Sequence, residues 1–105
     1  MKFEIILTEQ ADTDLRSIYE YIAFTLLEPG IAAGQLERIE NGIMSLNEMP
    51  ERFRAFEKEP WRSKGLRQMH VDNFIVFYIS ETEDRTVHVI RVMYGGREID
   101  EQFEL

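Results

Sequence analysis

The stretch HVIRVMYGGRE, residues 88–98, sets Arg91 in the middle of a β-branched apolar run and closes it with Tyr94, two glycines and Arg97. A guanidinium matches carboxylate or phosphate through its planar fork, so arginines gathered on one surface make a site for an anion or an acidic peptide. Arg67 stands in a second apolar run, LRQMHV, with His70 three residues on, and an imidazole can work as acid or base near neutral pH. Arg67, Arg91, Tyr94 and Arg97 are therefore the candidate target-binding residues, and Arg67, His70 and Arg97 the candidates for a catalytic role. Each also has a structural use. Arg91 can lay its stem over apolar surface and pair with an acid such as Glu98, Tyr94 can be a core aromatic with a wet hydroxyl, and His70 can be an ordinary half-buried histidine.

Other chemistries find no footing. There is no cysteine, which removes disulfides, thiolate metal sites and a cysteine nucleophile together. His70 and His88 are the only imidazoles, too few for the usual three or four ligands, so neither a metal nor a cofactor is expected. No G-x-S-x-G, Walker loop or H-x-x-x-H occurs, and YGGRE is too short and wrongly placed for a dinucleotide loop.

At 105 residues the chain fits one domain spanning 1–105. An apolar share of 44% beside 30% charged residues is ordinary for a globular protein, no run is long enough for a membrane span, and the N-terminus lacks the pattern of a signal peptide. A cytoplasmic location is expected. The net charge of −8 opposes general nucleic-acid binding, but it is unevenly spread. Residues 1–50 hold Lys2, Arg16 and Arg38 against nine acids, whereas residues 51–97 hold nine of the twelve basic residues against seven acids.

The elements that would carry these residues follow from pattern. Residues 2–7 form a strand. Thr8 then caps a helix whose first turn holds Glu9 and Asp12 and whose apolar stripe is Ala11, Leu15, Ile18, Ile22 and Leu26. Pro29 and Gly30 interrupt the stripe, and Ala32, Leu36, Ile39, Ile43 and Leu46 mark a second helix, antiparallel to the first, that ends by Pro50. Residues 51–65 have no period and read as a loop pinned to the core by Phe53, Phe56 and Trp61. LRQMHV and FIVFYIS, joined by Asp72 and Asn73, and then TVHVIRVMY form an antiparallel meander that the first strand must join. The expected fold is α+β, β-α-α-β-β-β, with a helical hairpin on one face of the sheet and the other face open. Strict alternation puts His88, Ile90, Val92 and Tyr94 on one face and Val87, Val89, Arg91 and Met93 on the other, with Arg91 on the side away from the helices.

Along its whole length the sequence resembles the RelE/ParE family of toxins from type II toxin–antitoxin systems. GLRQMHVDNFIVFYISE and VHVIRVMYGGRE are similar to the family's signatures around the sheet, including the arginine after Gly-Gly, which is Arg97 here. The resemblance implies a small toxin that arrests growth, serves plasmid stabilisation, and is held inactive by a cognate antitoxin wrapping the sheet and hairpin. RelE-like members cut ribosome-bound messenger RNA with basic side chains and a tyrosine near the C-terminus, whereas ParE-like members inhibit DNA gyrase. Nuclease members often carry an arginine where this chain has Ile75, and their tyrosine position falls at Phe103 in the acidic tail. Neither residue can act as base, acid or cation beside a phosphate, so the resemblance favours the gyrase-inhibiting branch, with mRNA cleavage as the alternative. A non-toxic module that only binds antitoxin is the competing class, and a homodimer is left open.

Overall fold

Thr8 joins the first two elements. Strand β1 (Glu4–Leu7) ends beside it and helix α1 (Glu9–Glu20) begins after it. In the computed structural model, which describes residues 2–96, Thr8 Oγ1 accepts from the Ala11 N–H at 3.1 Å and donates to the Ile90 carbonyl at 3.0 Å. The Thr8 N–H donates to the Val89 carbonyl at 3.1 Å. One residue thus caps the helix and fastens its start to the last strand. Glu9 and Asp12 fall in the first turn, as the sequence leads one to expect.

Helix α1 runs into a π-helical turn, Tyr21–Thr25, in which the Leu26 N–H reaches back five residues to the Tyr21 carbonyl. The wider turn rotates the side chains beyond it, so Ala23 is buried and Leu26, expected on the buried stripe, is exposed. Helix α2 (Pro29–Met44) starts with Pro29 in its first turn, where the missing N–H has no intrahelical partner to lose. Short 3₁₀ turns at Ser45–Asn47 and Pro50–Arg52 lead out of it.

Strands β2 (Leu66–Val71), β3 (Phe74–Glu81) and β4 (Thr86–Tyr94) form the expected antiparallel meander. The sheet order is β1-β4-β3-β2, and β1 lies parallel to β4, with Glu4 opposite Thr86 and Leu7 opposite Val89. The hairpin covers one face: Ala11, Leu15, Ile39, Ile43 and Leu46 pack against Met69, Val76, Tyr78, Val87, Val89 and Val92.

The other face is not open. Phe56, Leu66, Ile75, Phe77 and Met93 form a second cluster, with Trp61, Ile79 and Ile90 against it. The reason lies in β3, where Ile75, Val76, Phe77 and Tyr78 are all buried, so both faces need cover and the segment 53–65 supplies the second layer. Phe53 packs on the helix-side cluster instead, so the three aromatics pin this segment as expected but to two different cores.

Alternation along β4 also breaks. Tyr78 pairs with Val89 and Phe77 with Arg91, leaving Ile90 without an opposite residue. This bulge shifts the parity, so Val87, Val89 and Val92 all face the helices while Ile90 and Met93 face away.

Candidate interaction site

Arg91 stands opposite Phe77, on the face away from the helices, yet its side chain reaches α1, where Nε donates to Asp14 Oδ2 at 2.8 Å and Nη2 to Oδ1 at 3.1 Å. Asp14 also accepts the Val92 N–H at 2.9 Å and Gln10 Nε2 at 3.1 Å. Both side chains of the pair are largely buried, at 17% and 10% exposure, so the pair is an internal clamp between α1 and the bulged strand. The acid is Asp14. Glu98, the partner considered from sequence, lies outside the described residues. Asp14 has a signal in the sequence: it falls between Ala11 and Ile18 on the apolar stripe, where a carboxylate persists only if it is paired.

Arg67 is also turned inward. It shares the helix-side face of β2 with Met69 and Val71, and its Nη1 donates to the Phe53 carbonyl at 2.7 Å and the Glu51 carbonyl at 3.3 Å. Its Nη2 lies 3.8 Å from Glu51 Oε2. Nearby, the Tyr78 hydroxyl donates to the Pro50 carbonyl, and burial pushes this phenol up to about 12 against the opposing pull of Arg67 and Arg52. Arg52 in turn caps the end of the second helical segment through the Ser45, Glu48 and Met49 carbonyls. This end of the sheet is closed, and its cations hold backbone in place.

Tyr94 and His70 lie at the opposite end. Register puts Arg67 opposite Tyr78 and Tyr78 opposite Val89, whereas Tyr94 is opposite Phe74 and Phe74 opposite Val71. Five residues of strand separate Val89 from Tyr94, roughly 15 Å. Arg67, Arg91 and Tyr94 therefore do not gather into one cationic cluster, and Arg97 lies outside the described residues. What does converge at this end is different: His70, Asp72, Asn73, Tyr94, Gly95 and Gly96 line a small hollow of about 240 Å³. His70 is exposed and Tyr94 about half exposed, with its ring edge-on to Phe74 at 5.8 Å. The glycines serve close approach. A β-carbon on Gly95 would meet Ile75 Cδ1 at 3.1 Å, and one on Gly96 would fall 2.5 Å from the Tyr94 ring. The Asp72 carboxyl is held below its usual range by the Arg38 guanidinium and then by Gln35, which tie the β2–β3 turn to α2.

Behind Tyr94 a larger groove of about 780 Å³ runs between the hairpin and the sheet, with Ile18, Tyr21, Ile22 and Leu26 on the helix wall and Phe74, Val92 and Tyr94 on the other. Sequence reasoning missed this groove because it depends on the π-turn, which no residue pattern marks. No helix among the described residues is long and apolar enough to cross a membrane, and no three His, Asp or Glu of those residues are grouped as a metal ion needs.

The model of the ParE toxin of type II toxin–antitoxin systems matches residues 5–99. The chain belongs to this family. As a toxin of the ParE/RelE superfamily it has several structural relatives. The chromosomal ParDE system from P. aeruginosa superposes with a TM-score of 0.72 at 18% identity, over 89% of this chain and 96% of that one. The RelBE2 toxin–antitoxin complex from Mycobacterium tuberculosis gives 0.64 at 20% identity, over 90% and 99%. A mutant of the E. coli toxin RelE in the free state gives 0.61 at 16%, over 90% and 84%. At these identities the likeness is one of fold. No curated protein matches the sequence significantly.

Proposed function

We propose that this ParE-family toxin acts by binding its target, DNA gyrase, rather than by cutting RNA, that a cognate antitoxin neutralises it, and that the pair serves plasmid stabilisation. The observation that carries the reading is the internal use of the arginines: Arg91 is spent on Asp14 and Arg67 on Glu51 and Phe53. A scissile phosphate needs cations free to meet the charge that develops in the transition state. Ile75, where nuclease members often have an arginine, is buried in the second core cluster. The ParE family match supports the same branch. In this reading Tyr94 and Arg97 contact the target, while Arg67 and Arg91 act through the fold by holding β2 and the bulged β4.

One observation favours the mRNA-cleaving alternative: His70 and Tyr94 line one hollow and bring an acid–base pair of side chains to the strand end. A paired assay separates the readings. Purified protein is added to gyrase supercoiling reactions and to ribosomes carrying message. Inhibited supercoiling with intact message is expected; cleaved message with unimpaired supercoiling overturns the proposal. Arg97→Ala is expected to abolish growth inhibition while keeping the parent's denaturation midpoint, and a variant as toxic as the parent removes Arg97 from the site. Tight antitoxin binding by a wild-type chain that leaves growth and both targets untouched would make it the non-toxic module.

A further inference from the structure

The two outer strands of the sheet are finished differently. Beside β2 the preceding segment supplies a partner: the Phe56 N–H donates to the Leu66 carbonyl at 2.8 Å and the Gln68 N–H to the Arg54 carbonyl at 3.1 Å. Beside β1 no such segment stands among the described residues. Glu4 and Thr8 give their N–H groups to the Arg85 and Val89 carbonyls, so Ile6 also turns toward β4, while Ile5 and Leu7 turn their N–H and C=O groups outward. Native edges are commonly blunted by proline, a bulge or charge, and Ile5, Ile6 and Leu7 have none of these. The side chains are apolar on both faces. Ile6 is exposed on the face away from the helices. Leu7 is exposed on the other, where it borders a hollow of about 460 Å³ with Ile5, Leu15, Ile43 and the exposed Met44.

The residues of the edge select its occupant. The chain's own residues 98–105 carry Glu98, Asp100, Glu101 and Glu104 without a base, and would meet Glu4 and Glu40 at the hollow. A second copy fits in one register. In a two-fold antiparallel pairing, an axis between residues sets outward groups against inward ones, which cannot bond. An axis at Glu4 brings two carboxylates face to face. An axis at Phe3 or Ile5 asks for the Phe3 N–H, which already donates to the Asn47 carbonyl at 2.7 Å. An axis at Leu7 runs Ile5 onto Glu9, inside the helix. An axis at Ile6 meets none of these obstacles. Ile5 and Leu7 then exchange backbone bonds with Leu7 and Ile5 of the second copy, Ile6 meets Ile6, and Glu4 meets Thr8. Lys2 comes to the start of the other copy's α1, where Glu9 stands.

We propose that a second copy of this chain docks on the β1 edge, antiparallel and with Ile6 on the two-fold axis, so that two four-stranded sheets become one. The backbone bonds are few and the apolar cover is confined to Ile6, Leu7 and Met44, so the dimer is weak and concentration-dependent. No residue of β1 lines the groove behind Tyr94, so the dimer is independent of the target reading above.

The test is sedimentation of the full chain from about 1 to about 300 µM, in about 0.5 M salt to screen the repulsion between two acidic chains. The mass is expected to rise from one chain to two. Ile6→Asp and Ile6→Lys should each stay monomeric over this range, whereas their equal mixture should pair, because the axis then joins opposite charges. The chain has no cysteine, so Ile6→Cys introduces a single thiol. Its β-carbons would face each other at about 5 Å, and oxidised glutathione should link most chains in pairs. In Glu4→Cys the β-carbons would lie more than about 13 Å apart and the chains should stay unlinked. A wild-type chain that remains monomeric overturns the proposal and leaves the edge to a strand of another protein or to the chain's own C-terminal residues. So does a dimer that both charged variants retain, a mixture of folded charged variants that fails to pair, or equal linking at positions 4 and 6. Should a charged variant fold poorly, the wild-type mass and the two cysteine variants still decide the matter.

Discussion

The two ends of the sheet are built to opposite rules. Where β2 begins and β3 ends, Arg67, Arg52 and the Tyr78 hydroxyl each close on a backbone carbonyl, and the 3₁₀ turn at Pro50–Arg52 seals the corner. Where β4 ends, Tyr94, His70 and the hairpin tip stand open around a groove. The Asp14–Arg91 clamp lies at the border: buried like the first end, yet with Asp14 on the wall of the groove. At the first end Arg52 and Arg67 are tied to the chain's own carbonyls, whereas the open end leaves Tyr94 and His70 accessible.

Substitutions can break or sharpen that contrast. The largest losses are expected inside. Asp14→Ala strands the Arg91 guanidinium and the Val92 N–H and should cost about 3–5 kcal/mol in denaturant unfolding, as removal of one partner of a buried pair does. Phe77→Ala should cost a similar amount, about 3–5 kcal/mol, because the face away from the helices is a true core. A cost near that of a surface change would show this face to be only loosely covered.

Tyr78→Phe should cost about 1 kcal/mol near neutral pH, the worth of one hydrogen bond, read as a lower denaturation midpoint. Its pH dependence is a separate signature. The folded phenol titrates at about 12 and the unfolded one near its ordinary 10, so between these values the folded state holds the proton that the unfolded state releases. Stability from this group is therefore full below about 10 and falls as pH rises toward 12. The phenylalanine variant should lack that component of the fall.

The smallest effect is expected at the open end. Leu27→Gly exchanges a strained left-handed leucine for the residue that tolerates this backbone, and should change stability by less than about 1 kcal/mol, toward higher stability. Thermal unfolding would check it. A loss comparable to that of Asp14→Ala would place the hairpin tip among the structural parts of the molecule and remove the contrast between the two ends.

Element order was legible because periodicity and punctuation agree: Thr8, Pro29, Pro50 and the Asp72–Asn73 turn all fall where elements change. Facing was legible only up to irregularities that leave no mark in composition. The bulge at Ile90 carries no glycine to announce it, so strict alternation sets Val87 and Val89 away from the helices that they in fact face. Strict helical period carried Leu26 inward, where the π-turn carries it out. In the site, Tyr94 and His70 do lie at one strand end, and the residue that explains Arg91 was visible as an acid on an apolar stripe, although only the folded structure joins two residues 77 positions apart.

The pairing of β1 with β4 bears on when the molecule can exist. The bond from Thr8 to Ile90 spans 82 residues, and β1 finds its neighbour only after residue 86 has been made. Contacts of such sequence separation close late in folding. During synthesis the first strand, the helix cap and the Asp14 carboxylate must all wait for the last strand to leave the ribosome. A message cut short upstream of β4 thus yields a chain with an unpaired strand and an unmatched acid, and the cell meets this fold only as a finished product.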